Sequence, residues 1–212
     1  MGRDARLIVM DVDSTLINQE VIDLLGEEAG IGGRIAAITE RAMRGELDFK
    51  QALAERVALL ADLPVQVLDR VYARVSFTPG ARELVGAAHE RGWKVGVVSG
   101  GFHEVVDRLV EDAGIDFALA NRLETQDGLL TGKTRGPVVT RELKLDTLRA
   151  WAAACAVPMA RTVAIGDGAN DIPMIQAAGT GIAFCAKPAT RAAAPHHIDE
   201  RDLMRVLDVL GE

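Results

Sequence analysis

Thiols, aromatic side chains and excess basic charge are all scarce in this chain. Cys155 and Cys185 are the only cysteines among 212 residues, and neither belongs to a Cys-x-x-Cys pair. They cannot build a disulfide framework, so reduced thiols in a cytoplasmic protein are expected. Aromatics make up 4% of the residues, which leaves Ala, Val, Leu and Ile to form the core. No run approaches the ~18 consecutive apolar residues of a membrane span, so no membrane association is expected. The formal net charge is −7, and no Lys/Arg cluster stands against it. A nucleic-acid binder shows the opposite balance. A small anionic ligand is compatible with it, because such a site needs only a few local donors or a metal. The first residues carry Asp4 and lead straight into a strand-like run, so no secretory leader is expected. Gly2 lacks the Ser/Thr context of myristoylation. What remains is 49% hydrophobic and 26% charged, an ordinary soluble globular composition. The length suits one large domain, or one domain carrying a smaller insert, with a core that needs no staples.

Leu7-Ile8-Val9-Met10 is a continuous apolar run, as in a strand buried on both faces. Similar runs occupy 95–98, 117–120, 162–165 and 181–184, with helical patterns between them, as at 81–90 and 104–113. Strands alternating with helices predict an α/β fold with a mostly parallel sheet. Segment 16–75 breaks the alternation. It is helical in pattern almost throughout and far longer than one crossover needs, so a small helical insert riding over the sheet is expected. The core resumes at Phe77-Thr78-Pro79-Gly80, a helix-start signal. Gln126-Asp127-Gly128 and Thr131-Gly132-Lys133 punctuate short β-like pieces over 123–139 and predict an antiparallel hairpin. There is no internal repeat.

In open parallel sheets, ligands bind beyond the carboxyl ends of the strands. Asp11-Val12-Asp13-Ser14-Thr15 follows the first run, Ser99-Gly100-Gly101-Phe102 the second, and Gly166-Asp167-Gly168-Ala169-Asn170-Asp171 the fourth. Any one of these could be a plain turn. Together they gather four carboxylates on one edge, and mutual repulsion then implies a cation. The all-oxygen ligand set suits Mg²⁺ better than Zn²⁺. The Ser99 hydroxyl and the following glycine amides, at a helix N-terminus, suit a phosphate.

Asp11-Val12-Asp13-Ser14-Thr15-Leu16 resembles the Asp-x-Asp-x-Thr signature of the haloacid dehalogenase-like phosphotransferases. Ser99, Lys144 and Gly166-Asp167-Gly168-Ala169-Asn170-Asp171 resemble that family's remaining motifs, in order. Further segments are similar to the members that act on O-phospho-L-serine: Glu20-Val21-Ile22, Met43-Arg44-Gly45-Glu46-Leu47-Asp48-Phe49, Glu55-Arg56-Val57 and Leu130-Thr131-Gly132. Ala52 and Thr140 depart from the pattern, where Ser and Asp are frequent, but neither belongs to a catalytic motif. The amino-acid-sensing domain that some members carry N-terminally is lacking, so feedback through it is not expected.

The resemblance implies a Rossmann-like parallel sheet core over 1–15 and 76–212, with helices on both faces and a helical-bundle cap over 16–75. It implies Mg²⁺-dependent hydrolysis of O-phospho-L-serine to L-serine and phosphate, the last step of serine biosynthesis. Asp11 would be the nucleophile forming an aspartyl-phosphate. Asp13 would be the general acid and then base, with its backbone carbonyl on the metal. Asp167 would ligate Mg²⁺, and Asp171 would hold metal waters or Lys144. Ser99 and the Gly100 amide would hold the phosphoryl oxygens, and Lys144 would neutralise them. Arg56 would grip the substrate carboxylate and Glu20 its ammonium, with Met43 and Phe49 as the apolar wall and Asn170 as a further contact.

Each role has a plainer rival. By position alone Asp11 is a strand-end acid and Lys144 a surface lysine. On a helix over 47–60, Arg56 shares a face with Phe49, Leu53 and Leu60, as a snorkelling arginine would. His103, His196 and His197 invite a metal or base role, but His196 and His197 point opposite ways on a strand and lack partner ligands, so no metal role is expected. Cys185 reads as a core residue. Two rival functions also stand: the same chemistry passing the phosphoryl group to homoserine, and a receiver-type module holding a stable phospho-aspartate. The length of the insert and the Asp11/Asp13 pair disfavour the second.

Overall fold

The computed structural model describes residues 5–212. Most of the N-terminal leader reading, and the start of the 1–15 segment, lie outside the described residues. A seven-stranded sheet forms the centre: β1 (Leu7–Met10), β2 (Lys94–Phe102), β3 (Phe117–Gln126), β4 (Leu129–Arg135), β5 (Thr162–Gly166), β6 (Thr180–Phe184) and β7 (His196–Ile198). The spatial order is β4-β3-β2-β1-β5-β6-β7. Every pairing is parallel except β3 with β4. β1 pairs β2 on one side and β5 on the other, with Met10 opposite both Val97 and Ile165. The strand order therefore reverses at β1, and the crevice beyond its carboxyl end is where such sheets bind ligands.

The apolar run of β1 is continuous because both faces are covered. Ile8 and Met10 enter one cluster with Val95, Val97 and residues of α5 (Ala81–Glu90) and α6 (His103–Ala113). Leu7 and Val9 enter another with Leu148 and Ala152 of α7 (Arg141–Ala154) and Met174 and Ile175 of α8 (Ile172–Ala177). Two short helices complete that layering, α9 (Pro188–Ala193) and α10 (Arg205–Leu210).

Between β1 and α5 lie four helices: α1 (Val21–Glu28), α2 (Gly32–Met43), α3 (Phe49–Ala58) and α4 (Val67–Arg74). The segment carrying them meets the sheet region through isolated bridges, Ile17 with Phe77 and Pro64 with Leu129, and through backbone bonds at the hairpin, where Asp62 N–H donates to the Leu130 carbonyl and Leu130 N–H to the Leu63 carbonyl. The cluster on the Ile8 face continues into these helices through Val21, Leu25, Leu53 and Val71.

Five expectations change in detail. The third apolar run and the first half of the hairpin are one strand: β3 pairs β2 through Phe117–Leu119 and then turns at Asp127-Gly128 to meet β4. Asp127 and Gly128 both have positive φ, 51° and 79°, as a two-residue hairpin turn of the right twist requires. Thr131-Gly132-Lys133 is no turn but the irregular part of β4, where the register shifts. A Cβ on Gly132 would lie 2.9 Å from that of Ala61, so glycine there lets the α3 end approach. Strand β2 runs on through Phe102, so Ser99-Gly100-Gly101 lies within its last residues rather than at a helix start. Helix α3 is shorter than 47–60. Asp48 stops it N-terminally by a reciprocal cap: Gln51 N–H donates to Asp48 Oδ1 at 2.8 Å and Asp48 N–H to Gln51 Oε1 at 3.0 Å, an arrangement that satisfies two otherwise orphaned donors. Finally, Cys185 packs against the core only at its edge. It stands just past β6, half-buried with φ 44°, its thiol 3.6 Å from the Asp199 carbonyl.

Candidate active site

Asp11 follows β1 directly, its N–H donating to the Ile165 carbonyl at 3.0 Å. A wide turn over Val12–Leu16 then closes with Ile17 N–H on the Val12 carbonyl. Two residues inside it are not helical: Asp13 is extended, and Ser14 is left-handed at φ 56°, ψ 4°. That double break aims Asp11 and Asp13 into the same cavity. Ser14 N–H donates to the Gln19 carbonyl at 3.2 Å, and its hydroxyl donates to Glu20 Oε1 at 2.7 Å. Val21 N–H reaches Asp13 Oδ1 at 3.4 Å.

Lys144 is not a surface lysine; it is fully buried. Its Nζ lies 2.9 Å from Asp11 Oδ1 and 2.7 Å from Asp171 Oδ1. Asp171 spends its other oxygen on Gly168 N–H at 3.0 Å, so both oxygens are engaged. One oxygen from each of Asp11, Asp167 and Asp171 falls within 4.8 Å of the others. Burial and then the Asp171 charge push Asp11 well above the usual carboxylate range, against the pull of Lys144. Burial and the same neighbour push Asp167 up to about 6. Burial alone would drive Lys144 toward neutrality, but the charges of Asp11 and Asp171 more than reverse that and raise its pKa. One buried ammonium, helped only by the exposed Lys187 3.8 Å from Asp167, thus faces three carboxylates, which leaves the site short of positive charge. An all-carboxylate donor set of this kind fits a hard divalent cation.

Ser99 is fully buried and accepts from Gly101 N–H at 2.8 Å. Asn121, at the bend of β3, donates to the Gly100 carbonyl at 2.7 Å and accepts from Val139 N–H at 2.8 Å. A Cβ on Gly101 would meet Asp13 Oδ2 and Ser99 Oγ, each at 3.0 Å. A Cβ on Gly100 would come within 3.2 Å of the Phe49 ring. Bare backbone at both positions lets the acid and the insert close over the strand end.

The cavity above these residues has a volume of about 750 Å³. Asp11, Asp13, Gly100, Asp167 and Asn170 line its sheet side, and Glu20, Met43, Phe49 and Arg56 its insert side. Ser99, Lys144 and Asp171 are fully buried next to these residues and do not themselves line it. Asp13 is pushed up to about 8 by burial and then by the Glu20 charge. Arg56 is half-buried and spends Nε on the Ala52 carbonyl at 3.2 Å. No carboxylate lies within salt-bridge distance of it among the described residues. Burial lowers its pKa, and Asp23, Glu20 and Asp13 only partly offset that. Met43 is 81% exposed and Phe49 37%, so the apolar wall is open. His103 is structural: Nε2 accepts from Ala120 N–H at 3.0 Å, which leaves Nδ1–H for Asp107 at 2.6 Å. His196 and His197 are exposed on β7 and join no metal-type cluster among the described residues.

Two residues at the site escaped the sequence reading, Asn121 and Lys187. Lys187 lines the cavity, with Nζ 3.8 Å from Asp167 Oδ2. Asn121 follows the third apolar run, inside β3, and Lys187 follows β6, so the strand-end rule would have found them had it been carried to the third and fifth apolar runs.

Paired strand-end aspartates, a buried lysine and further acids at the switch point of a parallel sheet define a carboxylate-based phosphate-handling hydrolase. The model of the haloacid dehalogenase-like hydrolases matches residues 8–176, and the chain belongs to that family. Membership sets aside the receiver-type reading. Its close relatives are phosphoserine phosphatases. It is 60% identical over 206 residues to the phosphoserine phosphatase of Streptococcus thermophilus, covering 97% of this chain and 96% of that one. A solved phospho-aspartyl intermediate analogue of phosphoserine phosphatase superposes with a TM-score of 0.92 at 43% identity, over 98% of this chain and 99% of that one. A substrate-bound phosphoserine phosphatase complex gives 0.92 at 42% identity with the same coverage.

Proposed function

We propose that this chain hydrolyses O-phospho-L-serine to L-serine and phosphate, as a cytoplasmic enzyme closing serine biosynthesis. The observation that carries the reading is the lining of one cavity by Asp11 and Asp13 on the sheet side and by Glu20 and a carboxylate-free Arg56 on the insert side. An anion-holder and a cation-holder beside a phosphate-handling floor describe a phosphorylated α-amino acid. Residues 16–75 serve as the cap that selects it, over a core of 1–15 and 76–212.

The carboxylate of Asp11 attacks phosphorus, forming an Oδ–P bond as the bond to the serine oxygen breaks. Asp13, whose raised pKa keeps a proton near neutrality, gives that proton to the departing oxygen. Water then attacks the aspartyl-phosphate, Asp13 takes its proton, and phosphate leaves Asp11. Lys144 and Asp171 hold the nucleophile's carboxylate in one orientation. The Ser99 hydroxyl and Gly100 amide bind phosphoryl oxygens, and Asn121 fixes the Gly100 peptide for that task. Asp11, Asp167 and the Asp13 backbone carbonyl would hold Mg²⁺, which supplies countercharge to the phosphoryl group. Asp171, with both oxygens engaged, steadies Lys144. Arg56 forks onto the substrate carboxylate, Glu20 takes the ammonium, Met43 and Phe49 close against its methylene, and Asn170 contacts the bound substrate.

Phosphate release from phosphoserine should exceed that from phosphoethanolamine, sugar phosphates and nucleotides, and should vanish in excess chelator. Equal turnover across that panel would overturn the substrate assignment.

A further inference from the structure

Arg201 stands outside every motif considered above, in the loop between β7 and α10. That loop is firmly seated: Leu203 is fully buried and its N–H donates to the Pro79 carbonyl at 2.8 Å. From this base the guanidinium reaches back to the catalytic loop. One terminal nitrogen donates to the Ser14 carbonyl at 3.3 Å and the other to Asn18 Oδ1 at 3.2 Å. Asn18 in turn donates to Ser76 Oγ at 3.0 Å and the Phe77 carbonyl at 3.1 Å. The planar fork therefore joins the way into the helical insert to the way out of it, which a lysine's single ammonium would not do as rigidly.

Ser14 is the residue this grip acts on. A non-glycine residue at φ 56° persists only where its surroundings impose that conformation. Its carbonyl is held by Arg201, its N–H by Gln19, and its hydroxyl points at Glu20 Oε1, 2.7 Å away. That last bond fixes the Glu20 carboxylate and leaves Oε2 as the oxygen for a ligand. We propose that Arg201 is a positioning residue that sets the grip of Glu20 on the substrate ammonium, acting through Ser14. The inference rests on the phosphoserine reading above.

The test compares phosphoserine with 3-(phosphonooxy)propanoate, which has hydrogen in place of the ammonium. Arg201→Met should raise KM for phosphoserine roughly 2- to 30-fold, the usual range for a residue acting through a neighbour, with kcat held within about 2-fold. The ammonium-free substrate should change by less than about 2-fold in kcat/KM. Simple loss of positive charge would instead penalise the ammonium-free substrate at least as much, since it is the more anionic. Ser14→Ala breaks the same path independently and should give the same signature, and Arg201→Met should add nothing in the Ser14→Ala background. Equal losses on both substrates, or additive effects in the double variant, would overturn the inference. So would an unchanged preference in Arg201→Met when the unmodified protein favours phosphoserine. If the unmodified protein shows no preference for phosphoserine over its ammonium-free analogue, the substrate reading itself fails and this inference falls with it.

Discussion

Replacing Arg56 by alanine separates the two things an arginine in that place can do. A structural arginine would bridge the insert helices through carboxylates, and its loss would be read in stability. Arg56 has no such bridge among the described residues, only the Nε bond to its own helix at the Ala52 carbonyl. Removing it should therefore cost less than about 0.5 kcal/mol of folding free energy, the range of substitutions that break no named feature. Binding is another matter. The guanidinium is half-buried, and a substrate carboxylate paired with it leaves water, so truncation strands that carboxylate without a partner. Breaking such a pair costs about 2–5 kcal/mol, on the order of 30-fold to a few thousand-fold in kcat/KM. Phosphoethanolamine has the ammonium and phosphate but no carboxylate, so it should lose little. The measurement is kcat/KM for both substrates in both proteins, beside a thermal melt. The expected result is a collapse of the phosphoserine advantage at nearly constant Tm. A lowered Tm with both substrates impaired alike would refute the reasoning, because Arg56 would then be holding the insert together.

Asp11→Asn should abolish turnover by several orders of magnitude while the melt stays cooperative, since the change removes attacking charge and leaves the core intact; comparable phosphate release would move the nucleophile elsewhere. In the unmodified protein, borohydride should trap the acyl-phosphate at Asp11. Mg²⁺ should raise Tm as well as activity, because a ligand at 100 times its Kd stabilises the native state by about 2.7 kcal/mol. Ca²⁺ should restore activity poorly, as its looser geometry leaves the attacking oxygen misdirected; a flat melt across a Mg²⁺ titration would end the metal reading. Away from the site, burial raises the Asp116 pKa, but donors on Lys94, Val95 and His89 outweigh it and hold the group below the ordinary value. A lowered folded pKa contributes stability that is complete above the unfolded value, about 3.9, and is lost as pH falls through the folded one. Asp116→Asn should thus cost about 1 kcal/mol at neutral pH and flatten the denaturant midpoint's pH dependence below about 4; an unchanged acid limb would contradict that.

Two cations interrupt apolar helical stripes in this chain, and they show where sequence stops being enough. Arg56 lies among Leu53, Val57 and Leu60, all buried. Lys144 shares its face of α7 with Leu148 and Ala152 at steps of four, all buried, so the same periodicity would have placed it inside. Neither pattern says what meets the charge. That depends on which acids the strand ends bring into reach, a matter of sheet order rather than spacing. For Lys144 the switch point at β1 brings together Asp11 and Asp171, far apart in sequence, and the cation is satisfied internally. For Arg56 it supplies none within salt-bridge distance among the described residues, and under the phosphoserine reading the substrate carboxylate would meet the cation. The strand-end acids and glycines were legible because they sit where a continuous apolar run stops. Ser14 and Arg201 were not, because each acts through a backbone carbonyl, an N–H or a hydroxyl whose partner the fold supplies, and such bonds leave no period in the sequence. A charge in the wrong place is thus a sign of function or of structure alike, and the fold decides which by pairing it or leaving it alone.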